Sequence, residues 1–305
     1  MQAFKKILFF IAVLIVTDFV GGAVLRKIYF SQKSNQYFRT TYTLQNEEKQ
    51  LVVLGSSRAI RHYSDSIFAN GLNMTYYNGG ADGEFLTYSY AMFHGITERY
   101  KPDLVILDIT AHALSDLSFN NTNIASLRPY YSLDPFYKKL TYGFSFSEPI
   151  KNLSRIFPYN NKIFSILSGI KRTNSTDTIG FFPLQGVIDT NYIKNNKNTP
   201  VPNNPALVKM YNDFLKEAKA KEINLVVAIS PVFYKPESAI NSVKEIEAIT
   251  KRNEIPFFDY SSDTTYLGKS HLFYDNEHLN KEGSLLFSKN FLEEIVKLRS
   301  LKTGK

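Results

Sequence analysis

Leu51-Val52-Val53-Leu54-Gly55-Ser56-Ser57-Arg58 joins a four-residue apolar run to a glycine–serine turn. A short apolar run bounded by a turn signal reads as a strand buried on both faces, the kind that parallel sheets use. A serine on the tight turn after such a strand presents its hydroxyl at the top of the sheet. More than two hundred residues later the chain reads Asp275-Asn276-Glu277-His278-Leu279-Asn280. An Asp three residues before a His can orient the imidazole so that it takes a proton from a serine. Together the two segments point to acyl transfer, with Ser57 as nucleophile, His278 as base and Asp275 as its orienter. Taken singly, the first is an ordinary small-residue turn and the second a helix N-cap beside a surface histidine.

The neighbourhood of Leu51–Leu54 supports an α/β domain. Further buried-strand patterns lie at Met74–Tyr77, Leu104–Asp108, Leu225–Ile229 and Pro256–Asp259, giving five strands separated by helix-like stretches, as a parallel sheet requires. Before the fourth strand, Leu207, Tyr211, Phe214, Leu215 and Ala218 fall on one helix face, and Lys216, Glu217, Lys219 and Lys221 on the other. A last helix from about Lys281 to Leu298 has Leu285, Leu286, Phe291, Leu292 and Ile295 as its apolar face, which leaves Asp275 and His278 in the loop before it. Between Ala113 and Asn204 the regularity fails in a stretch rich in Asn, Ser, Tyr, Phe and Pro. This reads as a long insertion after the third strand, near the strand ends where α/β sheets bind ligands. It is expected to be a lid or substrate-recognition region with short helices such as Asn161–Ile170.

Composition narrows the chemistry. The absence of cysteine excludes disulfides, thiol nucleophiles and zinc–thiolate sites. The five histidines are His62, His94, His112, His271 and His278, none at H-E-x-x-H spacing, so no catalytic metal and no cofactor are expected. The net charge of +8 comes from scattered Lys and Arg without a basic stripe, which implies attraction to anionic surfaces but no nucleic-acid partner. Arg58 either holds a substrate carboxylate or phosphate or pairs with an internal acid. Arg61 and His62 read as rim residues.

Ile7 to Leu25 is almost continuously apolar, flanked by Lys5-Lys6 and Arg26-Lys27. About nineteen helical residues rise roughly 28 Å, enough to cross a bilayer core. A cleaved signal peptide is the rival, with Gly21-Gly22-Ala23 as a weak cleavage site. Asp18 inside the segment reads either as a polar contact with another membrane protein or as a residue reaching the interface. The expected organisation is a cytoplasmic tail and anchor over residues 1–27, a linker over 28–48, an α/β domain over 49–300 and a tail over 301–305.

Three segments resemble the signature blocks of the SGNH/GDSL hydrolase superfamily. Gly55-Ser56-Ser57-Arg58 resembles the first block, G-D-S-x, with Ser56 in place of Asp. Asn78-Gly79-Gly80-Ala81-Asp82-Gly83 resembles the block N-x-G-x-x-G, and Asp275-x-x-His278 the last block. The resemblance covers roughly residues 50–115 and 205–298. It implies a three-layer, flavodoxin-like α/β fold, and it makes the Gly83 N–H an oxyanion donor beside the N–H of Ser57. The family's third block, G-x-N-D, has no counterpart in Asp108-Ile109-Thr110-Ala111-His112. Thr110 and His112 are the candidates for the missing donor, and Arg58 and Asn78 further candidates for substrate or oxyanion contact.

The Gly-Ser-Ser-Arg form, the anchor and the insertion are similar to membrane-anchored SGNH-like proteins of cell-surface polymer O-acylation. Those include alginate and peptidoglycan O-acetylation proteins and the D-alanyl teichoic acid transfer protein. That likeness implies a single-pass protein of the bacterial cytoplasmic membrane with an extracytoplasmic esterase or acyltransferase domain. Its implied partners are a cell-surface polysaccharide or other acylated polymer and a membrane-bound O-acyltransferase. The alternative is a catalytically weak scaffold subunit serving such an acyltransferase.

Overall fold

The computed structural model describes residues 1–33, 35–46, 48–115, 124–143, 147–169, 180–190, 199–235 and 237–303. The chain forms two compact units, one of Thr43–Asn123 with Ile179–Lys305 and one of Met1–Tyr42 with Ile124–Thr178.

The first unit is built on five strands: β1 (Leu51–Gly55), β2 (Tyr76–Asn78), β3 (Leu104–Asp108), β4 (Leu225–Ile229) and β5 (Phe257–Asp259). They form one parallel sheet in the order β2-β1-β3-β4-β5. Strands β1, β3 and β4 are buried at every residue, which is why they read as unbroken apolar runs. Between strands run α3 (Ser57–His62), α4 (Asp65–Leu72) and α5 (Leu86–Thr97). Later come helices Pro205–Ala220, Ile240–Arg252 and Lys281–Thr303.

Leu51 and Val53 of β1 share a core with Ala59, Tyr63 and Phe68 of the α3–α4 region and with Phe287, Phe291 and Ile295 of the last helix. Alternation turns Val52 and Leu54 to the opposite face. There α5 packs on β1 and on helix Pro205–Ala220, with Phe93 and Tyr90 against Phe214. The result is helix, sheet and helix in three layers. Each fully buried Val, Leu or Ile side chain contributes roughly 1.5–3 kcal/mol.

Strand β2 starts two residues later than the apolar pattern indicated. Asn73 ends α4 in the left-handed conformation (φ 50°), and the Met74 N–H closes back on Ala69 O. Met74 therefore belongs to the helix stop.

The second unit contains α1 (Gln2–Phe30), long and apolar enough to cross a membrane, with a mean hydropathy of 2.5 over its most apolar window. Residues 28–48, expected as a linker, instead carry the end of α1 and the helix α2 (Asn35–Gln45). Tyr29 is buried there among the rings of Tyr37, Tyr130 and Tyr159. The insertion contributes helices Pro135–Tyr142 and Ile163–Gly169, the second close to the expected Asn161–Ile170; Ile170 lies outside the described residues. The expected lid region also includes residues 116–123, 144–146, 170–179 and 191–198, which lie outside the described residues.

Asp18 has partners within its own chain. Its carboxylate accepts hydrogen bonds from Ser154 Oγ and from the N–H groups of Arg155 (2.7 Å) and Ile156 (3.2 Å). A Cβ on Gly22 would lie 2.4 Å from Arg155 Cβ, so the helix surface at Gly22 is a notch that the insertion fills. The acid inside the apolar segment is thus satisfied by its own chain.

Candidate active site

Strand β1 ends at Gly55, whose φ of 152° belongs to the glycine region and whose Cβ would lie 2.6 Å from Asp108 O. This close approach turns the chain sharply into α3, with Ser56 buried and Ser57 half-exposed as the first helical residue. Ser57 Oγ lies 2.7 Å from His278 Nε2. His278 Nδ1 lies 2.8 and 2.9 Å from the two carboxylate oxygens of Asp275. With the Nδ1 proton donated to Asp275, the Nε2 lone pair faces the serine hydroxyl. Asp275 Oδ1 also accepts the N–H groups of Glu277 (2.8 Å) and His278 (2.9 Å). Partial burial works against its charge, but these bonds prevail and hold its carboxyl below the usual range. The three side chains can pass a proton from serine to imidazole while the carboxylate stabilises the resulting cation.

No family model matches the chain, and no curated protein matches it. Solved structures do. The chain is similar to a lipase/acylhydrolase from Enterococcus faecalis at 14% identity, over 81% of this chain and 95% of that one, with a TM-score of 0.43. It is similar to a GDSL-like lipase from Bacteroides thetaiotaomicron at 13% identity, over 82% and 88%, with a TM-score of 0.41. An acetyl xylan esterase aligns at 10% identity, over 79% and 98%, with a TM-score of 0.41. Identities this low leave the reading of the site to its geometry.

A dense frame sets the meeting of Ser57 and His278. His62, at the end of the nucleophile's helix, is fully buried rather than at the rim. Its Nε2 accepts the N–H of Leu279 at 2.9 Å, so its proton sits on Nδ1 and is donated to Ser230 Oγ, also at 2.9 Å. Burial above all, and then the nearby His278, Arg58 and Arg61, hold the His62 imidazole well below the usual histidine range, so it stays neutral. Ser284 Oγ donates to Arg61 O (2.7 Å), and Ser288 Oγ donates to His62 O (2.8 Å). The last helix is thereby fastened to the C-terminal carbonyls of α3. Asn280 Nδ2 donates to Gly186 O (2.9 Å) and His271 O (2.7 Å), while the Lys281 N–H donates to Leu184 O. Residues 182–188 of the insertion thus brace the loop that carries His278, and the Phe182 N–H reaches Ile60 O.

The other expected site residues divide. Beyond Asn78, the N–H groups of Gly79 and Ala81 continue onto Val53 O and Gly55 O, so the loop leading to Gly83 starts beside the nucleophile turn. Gly83 is exposed with φ 71°, a conformation that suits glycine. Asn78 is fully buried and bonded to Ala59 O and the Gly80 N–H, so it is a loop fastener rather than a substrate contact. Arg58 is also withdrawn from substrate: its guanidinium is buried, 3.3 Å from Asp108 and 2.8 Å from Ile109 O. Burial pushes the Asp108 carboxyl up, against the pull of Arg58. Thr110 lines a narrow cleft with Ser56, Phe85 and Ser89, while His112 Nε2 lies 3.4 Å from Ser238 Oγ.

His94, Glu98 and Glu217 offer three metal-type ligand atoms within 4.8 Å of one another. The Lys221 ammonium is 2.6 Å from Glu98 and 2.8 Å from Glu217 and already serves as their cation.

The sequence reading passed over Ser230, Ser284 and Ser288 and took His62 for a rim residue. One signal was present: Ser284 and Ser288 share a helix face with Phe291 and Ile295, and small polar residues in an apolar stripe mark a close backbone approach.

Proposed function

We propose that this chain is a serine esterase or O-acyltransferase of the SGNH/GDSL type. In this reading α1 anchors it in the bacterial cytoplasmic membrane, and its α/β unit works outside the cytoplasm on O-acyl groups of a cell-envelope glycan. The hydrogen-bonded series Ser57–His278–Asp275 is the observation that carries the enzyme reading. Ser57 Oγ attacks the ester carbonyl as His278 Nε2 takes its proton. The tetrahedral oxyanion is held by the N–H groups of Ser57 and Gly83. The leaving sugar oxygen takes the proton from His278 and departs, leaving an acyl group on Ser57. Water or another sugar hydroxyl then loses its proton to His278 and attacks that ester, freeing Ser57. An uncleaved anchor is supported by the docking of Ser154–Ile156 on Asp18 and Gly22, contacts that cleavage after Ala23 would remove. The glycan substrate and a membrane-bound acyltransferase partner follow from the family resemblance.

Acetate release from an O-acetylated glycan and from simple aryl esters tests the reading. The full-length protein should release acetate, and Ser57→Ala should fall to the uncatalysed rate. Thr110 in place of the third-block Asn favours a second reading, a scaffold subunit with little chemistry of its own. An inert wild type that is still required for polymer acylation in cells would support the scaffold.

A further inference from the structure

The unit containing α1 has a cavity of about 390 Å³ that esterase chemistry does not use. One wall is a single face of α1, Phe19, Gly22, Ala23 and Arg26, at helical spacings of three and four. The opposite wall comes from the insertion and carries Arg128, Lys138 and Arg155, with Ser132, Asn152 and Ser154 as neutral hydrogen-bonding groups. Four cations line it and no carboxylate does. Arg128 is neutralised by Glu148 at 2.7 Å. Among the described residues, the side-chain nitrogens of Arg26, Lys138 and Arg155 have no carboxylate oxygen within 4 Å, although Asp18, which accepts the Arg155 N–H at 2.7 Å, offsets part of the Arg155 charge. Arg26 is held in place by its bond to Ser132 Oγ (2.8 Å).

The surroundings of this cationic cavity are apolar. Phe19 on its wall is 61% exposed, Leu153 on its rim is 81% exposed, and Ile150 nearby is 71% exposed. A soluble anion would gain nothing from such a rim. An amphiphile with a negative head and apolar tails matches both parts.

We propose that the cavity seats the phosphate headgroup of an anionic membrane lipid, with its acyl chains running along Phe19 and Leu153. Arg26 and Arg155 meet the phosphate oxygens from two sides, Lys138 adds charge, and Ser132 and Asn152 take the glycerol oxygens. Such a lipid would fill the space between α1 and the insertion at the bilayer surface. The proposal rests on the membrane placement of α1 given above.

Native mass spectrometry of the full-length protein in mild detergent tests it, with phosphatidylglycerol and phosphatidylcholine offered in equal amounts. Phosphatidylglycerol adducts should dominate, and Lys138→Gln and Arg155→Gln should each weaken them about fivefold. Lys139→Gln, whose side chain does not line the cavity, should leave them unchanged. Equal retention of the two lipids, or full retention of phosphatidylglycerol by the double variant, overturns the proposal. Displacement of the lipid by millimolar glycerol phosphate also overturns it, because the site would then take a free phosphate. Carbonate washing of membranes checks the anchor separately. Protein released by the wash overturns the membrane placement together with the lipid site. Protein retained without lipid preference overturns the lipid site alone.

Discussion

His62 Nε2 accepts the main-chain N–H of Leu279, the residue that follows the base His278. The nucleophile's helix therefore holds the base's loop by a side chain that never meets substrate. His62→Phe removes the acceptor and should lower kcat at least tenfold with little change in KM, since small misplacements of catalytic groups carry large kinetic costs. His62→Gln keeps an acceptor and should recover much of the loss. Steady-state kinetics on an aryl ester checks both, and equal kcat in wild type and His62→Phe would remove the positioning role.

The same histidine predicts a pH dependence of stability. The folded protein keeps His62 neutral, its pKa held down by burial and by His278, Arg58 and Arg61, whereas the unfolded chain takes up a proton near pH 6.5. Its contribution to stability is therefore complete above about pH 6.5 and is lost as pH falls toward the folded value. Thermal unfolding from about pH 8 to about pH 5 should show a declining Tm in wild type and a shallower decline in His62→Gln. Parallel curves would contradict this assignment.

Asp275→Asn should leave the fold intact and reduce kcat on the order of 10³–10⁴-fold, because an amide can stabilise the wrong tautomer and cannot support the imidazolium. The Tm should move little, since Asp275 is only partly buried. A kcat within tenfold of wild type would mean that Asp275 does not serve His278 in turnover.

Arg58 and Asp108 form an ion pair with both side chains shielded from water. Arg58→Met leaves a buried acid without its partner and should destabilise the protein by about 3–5 kcal/mol. The double variant Arg58→Met, Asp108→Leu should be closer to wild type. Thermal unfolding of the three proteins reads this directly. A single variant as stable as wild type would return Arg58 to the list of substrate contacts.

Strands β1, β3 and β4 were legible because burial on both faces leaves an unbroken apolar run, and β3 and β4 lie where the pattern put them. The meeting of Ser57 with His278 was legible from turn chemistry and the Asp-x-x-His spacing. What was not legible depends on partners distant in sequence. Asn78 and Arg58 looked like site residues because polar groups near a nucleophile turn often are, yet their bonds go inward to Ala59, Asp108 and Ile109. His62 looked like a rim residue because nothing local reveals that Leu279 and Ser230 lie beside it. The polar atoms that satisfy Asp18 are supplied by residues 154–156, on a part of the chain with no periodic pattern to place it.

The central claim is an activated Ser57 hydroxyl, and a fluorophosphonate probe reads activation without knowledge of the substrate. The account predicts a single adduct on the tryptic peptide of residues 50–58, absent in Ser57→Ala and formed far more slowly in His278→Ala. No labelling of the folded full-length protein, or labelling at another serine that survives Ser57→Ala, would contradict it.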